Sequence, residues 1–144
     1  MRARRTPLVP VLATGALLAG ALVGCSTETV QVGACAQWEQ LQEAPREGVE
    51  VVDCEQEHSA QFVGTFEVDF EAFPGQEPID EVAEPGCLEA FTEFVGIDYA
   101  DSQLRLDWFR PTQESWQNTG GRDVWCVAYL PEGTTTGGFQ DSGR

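Results

Sequence analysis

Lysine is absent from this chain of 144 residues, and histidine occurs once, at His58. The only permanent cations are eight arginines, set against 24 aspartates and glutamates. A polyanion of this kind is repelled by nucleic acid and by anionic lipid, so nucleic-acid binding is excluded. With one histidine, a Ser-His-Asp or Cys-His system has a single candidate base, and it needs a free nucleophile beside it. No Gly-x-Ser-x-Gly elbow is present to supply one. No Cys-x-x-Cys pair occurs either, which removes a thioredoxin-like redox centre. No internal repeat is found, and no apolar run is long and continuous enough to span a bilayer, which takes about 20 residues.

What is present begins with a leader. Arg2, Arg4 and Arg5 form a basic start, and Pro7 to Val23 carries no charge and is rich in Leu, Val and Ala. Pro7, Pro10 and several glycines interrupt it, which suits a secretory signal over residues 1–24 better than a membrane span. The closing Leu22-Val23-Gly24-Cys25 resembles a bacterial lipobox. That resemblance implies a diacylglycerol on the Cys25 thiol, cleavage before Cys25 and an acylated new amine. The alternative is cleavage at an ordinary small-residue site, with Cys25 left as a thiol. Each buried methylene contributes about 0.8 kcal/mol, so two or more acyl chains anchor stably. The chain would then face the extracytoplasmic side of the cell membrane, with residues 25–31 as a short linker. Three of the eight arginines leave with the leader, so the remainder carries five bases against 24 acids, or −19.

Five cysteines stand at 25, 35, 54, 87 and 126. If Cys25 takes lipid, four remain in an oxidising compartment, which reads as two disulfides. Four cysteines allow three pairings. The expected one is Cys35–Cys54, joining neighbouring strands, with Cys87–Cys126, clipping a helix to the last strand, each contributing about 2–4 kcal/mol.

The remaining 120 residues suit one domain. Val30 to Cys35 and Val49 to Cys54 read as short strands. His58 to Glu71 alternates, with Phe62, Phe66, Val68 and Phe70 on one face and Thr65, Glu67, Asp69 and Glu71 on the other. Cys87, Leu88, Phe91, Phe94 and Val95 recur at helical spacing. Pro85 fits the first turn of that helix and Gly96 its stop, with Ile79 to Glu84 as a separate turn in front. Leu104 to Trp108 alternates. Pro111 to Gly121 is a connection with one helical turn around Glu114 to Gln117. Arg122 to Leu130 is apolar on both faces, as an interior strand is. Pro131 to Arg144 is rich in Gly and Thr and reads as a mobile tail. The fold class is α+β: a small, mostly antiparallel sheet of about five strands with one main helix on one face and two disulfides.

The order Val32-Gly33-Ala34-Cys35, Val51-Val52-Asp53-Cys54, Glu55-Gln56-Glu57-His58, Cys87 with Phe91, Pro111-Thr112, Trp116, Gly121-Arg122 and Cys126 resembles the actinobacterial septum-formation domain family. The chain departs from that pattern at Glu57, where proline is usual, at Gln61, where an acidic residue is common, and in the spacing at Gly121. The resemblance runs from Gly33 to Val127, within a domain expected at 32–130, and implies an envelope-attached protein associated with septum formation; it supplies no reaction.

Within that frame His58, Trp116 and Arg122 are the candidate binding surface, set against the plainer readings of a structural histidine whose ring bonds to nearby backbone and an arginine paired with acidic residues near Asp123. Trp116 is the best candidate for an exposed aromatic, set against the plainer reading that it too packs structurally, and Trp108 and Trp125 belong to the core. Cys54 and His58 are four apart, but a closed zinc site needs about four ligands, so no metal is expected. Glu67, Asp69 and Glu71 lie almost 7 Å apart along a strand, too far for a compact oxygen cage. The leading expectation is a non-enzymatic, lipid-anchored binding or scaffold domain without a cofactor, with envelope or division proteins as partners. The alternatives are a solute- or divalent-cation-binding lipoprotein, and a cell-wall hydrolase that would need a groove lined by Trp116 and two carboxylates.

Overall fold

The computed structural model describes residues 30–43 and 48–144. The leader at 1–24, the candidate anchor Cys25 and most of the linker lie outside the described residues. The elements are β1 (Cys35–Ala36), α1 (Trp38–Glu43), β2 (Ala60–Glu67), α2 (Gln76–Val95), β3 (Arg105–Phe109), α3 (Gln113–Asn118) and β4 (Asp123–Tyr129), with a 3-10 turn at Tyr99–Asp101. The strands form one antiparallel sheet in the order β1-β2-β4-β3. The fold is thus α+β with one main helix, as expected, with four strands rather than five.

The missing strand has a local cause. Gly33 sits at φ 95° and turns the chain just before Cys35, which shortens the first strand to two residues. The run from Val49 to Cys54 contributes only an isolated bridge, Val52 to Cys35. The Asp53 carboxylate then accepts the Glu55 amide, and the Asp53 carbonyl accepts that of Gln56, turning the chain away from the ladder.

β4 is interior, as its two apolar faces require. Val124, Cys126 and Ala128 face α2, while Val127, Trp125 and Tyr129 face the N-terminal segment. β2 departs from the alternation expected of it. Its pairing with β4 slips between Phe62 and Gly64, so Val63 is an extra residue. Such a bulge exchanges the faces. Phe62 therefore packs beside Trp125 and Phe109, and Phe66, Val68 and Phe70 pack on the α2 side. The single stripe read through Phe62 is divided between two clusters.

α2 runs unbroken for 20 residues through Pro85, where a break was expected. Ile79, Ala83, Cys87, Phe91 and Val95 recur at every fourth position and are all fully buried. Pro85 lies on the exposed side. The proline costs the helix about 3 kcal/mol, and the buried stripe on both sides of it, tied down at Cys87, offsets that local cost. Gly96 ends the helix in the left-handed region, as expected.

Both disulfides form as paired above. Cys35–Cys54 has a Cα separation of 5.4 Å and Cys87–Cys126 one of 5.3 Å. The second brings α2 onto β4 so closely that neighbouring positions have no room for side chains. A Cβ at Gly64 would meet the Ala90 methyl at 2.5 Å, and one at Gly86 would meet the Phe66 ring at 2.5 Å.

The segment expected to be a mobile tail is instead packed on the core. Phe139 is fully buried in the α2 cluster. His58 and Thr135 exchange backbone hydrogen bonds at 2.9 and 2.8 Å. The amides of Asp141 and Gly143 donate to the carbonyls of Phe94 and Val95, satisfying the end of α2. Composition concealed this, because one phenylalanine among glycines and threonines anchors the whole strap.

Two stability predictions arise. Gly64→Ala should cost about 1–3 kcal/mol through overpacking. Ala90→Gly alone should cost about 1 kcal/mol as a helix-interior glycine. The double variant should recover at least about 0.5 kcal/mol of their sum, because it removes one methyl from the same contact. Equilibrium denaturation measures the cycle, and strict additivity would show that the methyl and the strand do not compete for that space. Phe139→Ala should cost about 3–5 kcal/mol. A loss within about 0.5 kcal/mol, the range of surface substitutions, would place Phe139 outside the cooperative core.

Candidate functional site

His58 sits at the start of β2 with no exposed surface. Its Nδ1 lies 2.9 Å from the Gln56 carbonyl, which can only accept, so Nδ1 carries the proton. Nε2 is buried without a hydrogen-bond partner, and the ring tilts against Phe139 at a centroid distance of 5.7 Å. Both backbone groups of His58 are occupied by Thr135. The neighbouring thiol of Cys54 is consumed in its disulfide. His58 is therefore a buried joint between β2 and the C-terminal strap.

Trp116 and Arg122 lie at the other end of the sheet. Trp116 stands on α3, whose start is fixed by reciprocal hydrogen bonds between Thr112 and Ser115. Trp116 is only 7% exposed, so it packs structurally and does not offer an open indole. The edge of Phe73 packs against its ring, and the Arg122 guanidinium lies 3.5 Å from the ring centroid. The ion pair recorded among the described residues is Arg110–Asp80, so Arg122 is held by an aromatic face rather than by a neighbouring carboxylate. Arg122 directly precedes β4, and the Leu130 amide just after β4 donates to Ser59 beside His58. Seven strand residues at about 3.3 Å each put roughly 20–25 Å between His58 and the Trp116–Arg122 pair. These three residues do not assemble one surface. The groove that a wall hydrolase would build on an open Trp116 also lacks its aromatic wall. Glu67, Asp69 and Glu71 are exposed, and among the described residues no group of three or more His, Cys, Asp or Glu side chains is close enough to hold a metal.

A concave site lies elsewhere. Gln37, Trp38, Ser59, Leu130, Pro131 and Glu132 line a groove of about 470 Å³ between the start of α1 and the loop after β4. That volume falls within the usual range for small-ligand sites, about 300–1,000 Å³. Its wall is built from the disulfide outward. Cys35–Cys54 fixes β1, and Gln37 and Trp38 follow immediately. Ser59 Oγ accepts the Trp38 amide at 2.8 Å and donates to Gln37 Oε1 at 3.3 Å. Gln37 Nε2 donates to the Glu57 carbonyl at 2.7 Å. The Trp38 indole stacks on Tyr129 with centroids 3.8 Å apart and planes 8° from parallel. Burial raises the Tyr129 phenol above its ordinary pKa, the charges of Asp107 and Tyr99 add to this, and Arg105 opposes it. Sequence reasoning missed this site. Tyr129 was legible as part of an apolar face of β4, but nothing in the spacing joins it to Trp38.

Behind the groove, Gln61 connects both ends of the domain. It is 4% exposed, its Nε2 donates to the Gly33 carbonyl at 2.8 Å, and its Oε1 accepts the Phe139 amide. Gln61 is a position at which the chain departs from the pattern it resembles, and here an amide supplies both a donor and an acceptor where a carboxylate would only accept.

Among the described residues no helix is long and apolar enough to cross a membrane. No curated protein and no solved structure matches this chain. A family model described as "Septum formation" matches residues 18–126. The matched stretch holds both disulfides, His58, Trp116 and Arg122, and it ends before the Leu130 side of the groove and the Phe139 strap. The motif order and the family model agree over most of the chain, and the chain belongs to the septum-formation family.

Proposed function

We propose that this protein is a lipid-anchored, extracytoplasmic binding domain that serves septum formation by holding envelope or division proteins rather than by catalysis. The family match is the observation that carries the septal part of the reading. Cysteine usage supports the location. Cys35–Cys54 and Cys87–Cys126 leave Cys25 as the odd thiol, directly after an apolar leader, and disulfides belong to oxidising compartments. Two acyl chains on Cys25 would hold the domain at the membrane against the repulsion between its acidic surface and anionic lipid. The binding reading is supported by the state of the candidate catalytic groups. The single histidine is sealed under Phe139, and the cystine sulfurs are not nucleophiles.

Intact-mass analysis of the native chain should find residues 1–24 removed and Cys25 carrying acyl mass. Cys25→Ala should shift the chain from the membrane fraction to the soluble fraction. A fluorescent fusion of the native chain should gather at division sites. A native product that retains Met1 and a free Cys25 thiol would refute the anchor, and diffuse placement around the envelope would refute the septal role.

A further inference from the structure

We propose that the groove between α1 and the loop after β4 binds an extended, arginine-bearing peptide segment of a partner protein, with the guanidinium against Trp38 between the carboxylates of Glu39 and Glu132. This names the partner chemistry of the binding domain proposed above and rests on that reading.

Three observations support it. Glu39 and Glu132 both line the groove and are exposed, and none of its lining residues is basic. The described arginines are engaged elsewhere. Arg105 donates to the Leu104 carbonyl, Arg110 pairs with Asp80, Arg122 covers Trp116 and Arg144 donates to Thr135. The negative rim is therefore without a counterion from within the described fold. Second, Trp38 is held in place before any ligand arrives, because one face of its ring rests on Tyr129 and its backbone amide is tied to Ser59. A fixed indole in a groove whose lining also includes two carboxylates favours a planar, weakly hydrated cation, which can stack on the ring while donating to oxygen. The chain makes the same contact internally, at 3.5 Å, between Arg122 and Trp116. Third, the rest of the wall suits a peptide backbone. Leu130 and Pro131 give an apolar strip, and the Gln40 carboxamide offers both a donor and an acceptor. With a formal charge of −16, the whole molecule also draws cationic segments toward the groove.

The test uses the full chain in detergent, titrated with a blocked peptide of alternating alanine and arginine and with the same peptide carrying citrulline, the uncharged isostere of arginine. Side-chain NMR of the tryptophan indoles and the glutamine amides reports the site. The arginine peptide should shift the Trp38 and Gln40 signals saturably, and the citrulline peptide should not. Removing the rim charges with E39Q and E132Q together should weaken binding about fivefold, the effect of two exposed ion pairs. Removing the same charge from α2 with E89Q and E93Q should leave affinity within about twofold, since those exposed residues stand on the helix that packs against the other face of the sheet, with screening solvent around them. Equal losses in the two double variants would reduce the effect to bulk charge and overturn the proposal. Equal binding of the citrulline peptide, or the absence of saturable shifts at Trp38, would overturn it as well. Septal placement is measured separately, so a groove that binds in a chain that does not gather at septa, or the converse, tells the two readings apart.

Discussion

A cystine between a helix and a strand leaves no layer of side chains between their backbones, and Cys87–Cys126 imposes that condition on the centre of this domain. Disulfide geometry holds the Cα atoms within about 4.4–6.8 Å, and here they are 5.3 Å apart. Several residues around the bond are accordingly small. Ala83, Gly86 and Ala90 surround Cys87 on α2, and Gly64 and Ala128 surround Cys126 on the sheet. Larger apolar residues close around them: Phe91 one turn along α2, Phe66 against Gly86, and Trp108 of β3, paired with Cys126. The bulge at Val63 belongs to the same constraint. It sets Gly64 opposite Cys126, so that the position against Ala90 carries no side chain. Pro85 is tolerated for a related reason. The helix is held at Cys87, the residue two beyond it, so an interruption on the solvent side does not separate the two halves.

Much of this was legible in the sequence because it depends on local pattern. The double apolar face of Val124 to Leu130 marked the interior strand, Gly96 marked a helix end, and the parity of the cysteines left four to pair. The glycines at 64 and 86 gave no such signal, since the need for them comes from a helix and a strand that meet only after folding. The bulge at Val63 was hidden for the same reason, since alternation read along one strand cannot show that its partner lacks a residue. Trp116 was offered for a binding surface because it stands in a polar connection, whereas Arg122 and Phe73 close over it and it packs structurally. Phe139 was missed because a composition dominated by Gly and Thr outweighed one aromatic side chain, although burying that chain is worth several kcal/mol.

The other disulfide, on the same face of the sheet beside Gln61, ties down the segment that covers the opposite face. Cys35–Cys54 holds a segment that has little regular structure of its own, only a two-residue strand and a helix of six residues. Such a short helix is not stable alone. Its stability comes from Leu41 and Ala36 packed on Phe62 and Val127, and from Gln61, which ties Gly33 to the Phe139 strap. Through that one amide, the loop that starts the domain and the strap that ends it are fixed to the same strand. The Trp38–Tyr129 stack is a consequence of this arrangement rather than a cause of it, which explains how a fixed aromatic can stand beside an open groove without being needed to close the core.

The two faces of the sheet are thus finished differently. On the α2 side, helix, cystine and strap bury their contacts completely, and both sulfur-bearing residues, Cys87 and Cys126, have no exposed surface. On the other side the covering segment is short, and the wall it forms with residues 130–134 stays concave and polar at its rim. A face sealed by covalent and apolar contacts can change little when a partner binds. The face assembled from a short helix, a serine–glutamine network and a loop turned at Gly133 can adjust side chains at small cost to the core. Binding energy spent at that groove would not have to disturb Cys87–Cys126 or the residues packed around it, so recognition and stability can vary independently. That separation is the physical reason to place the partner on the α1 side of the sheet.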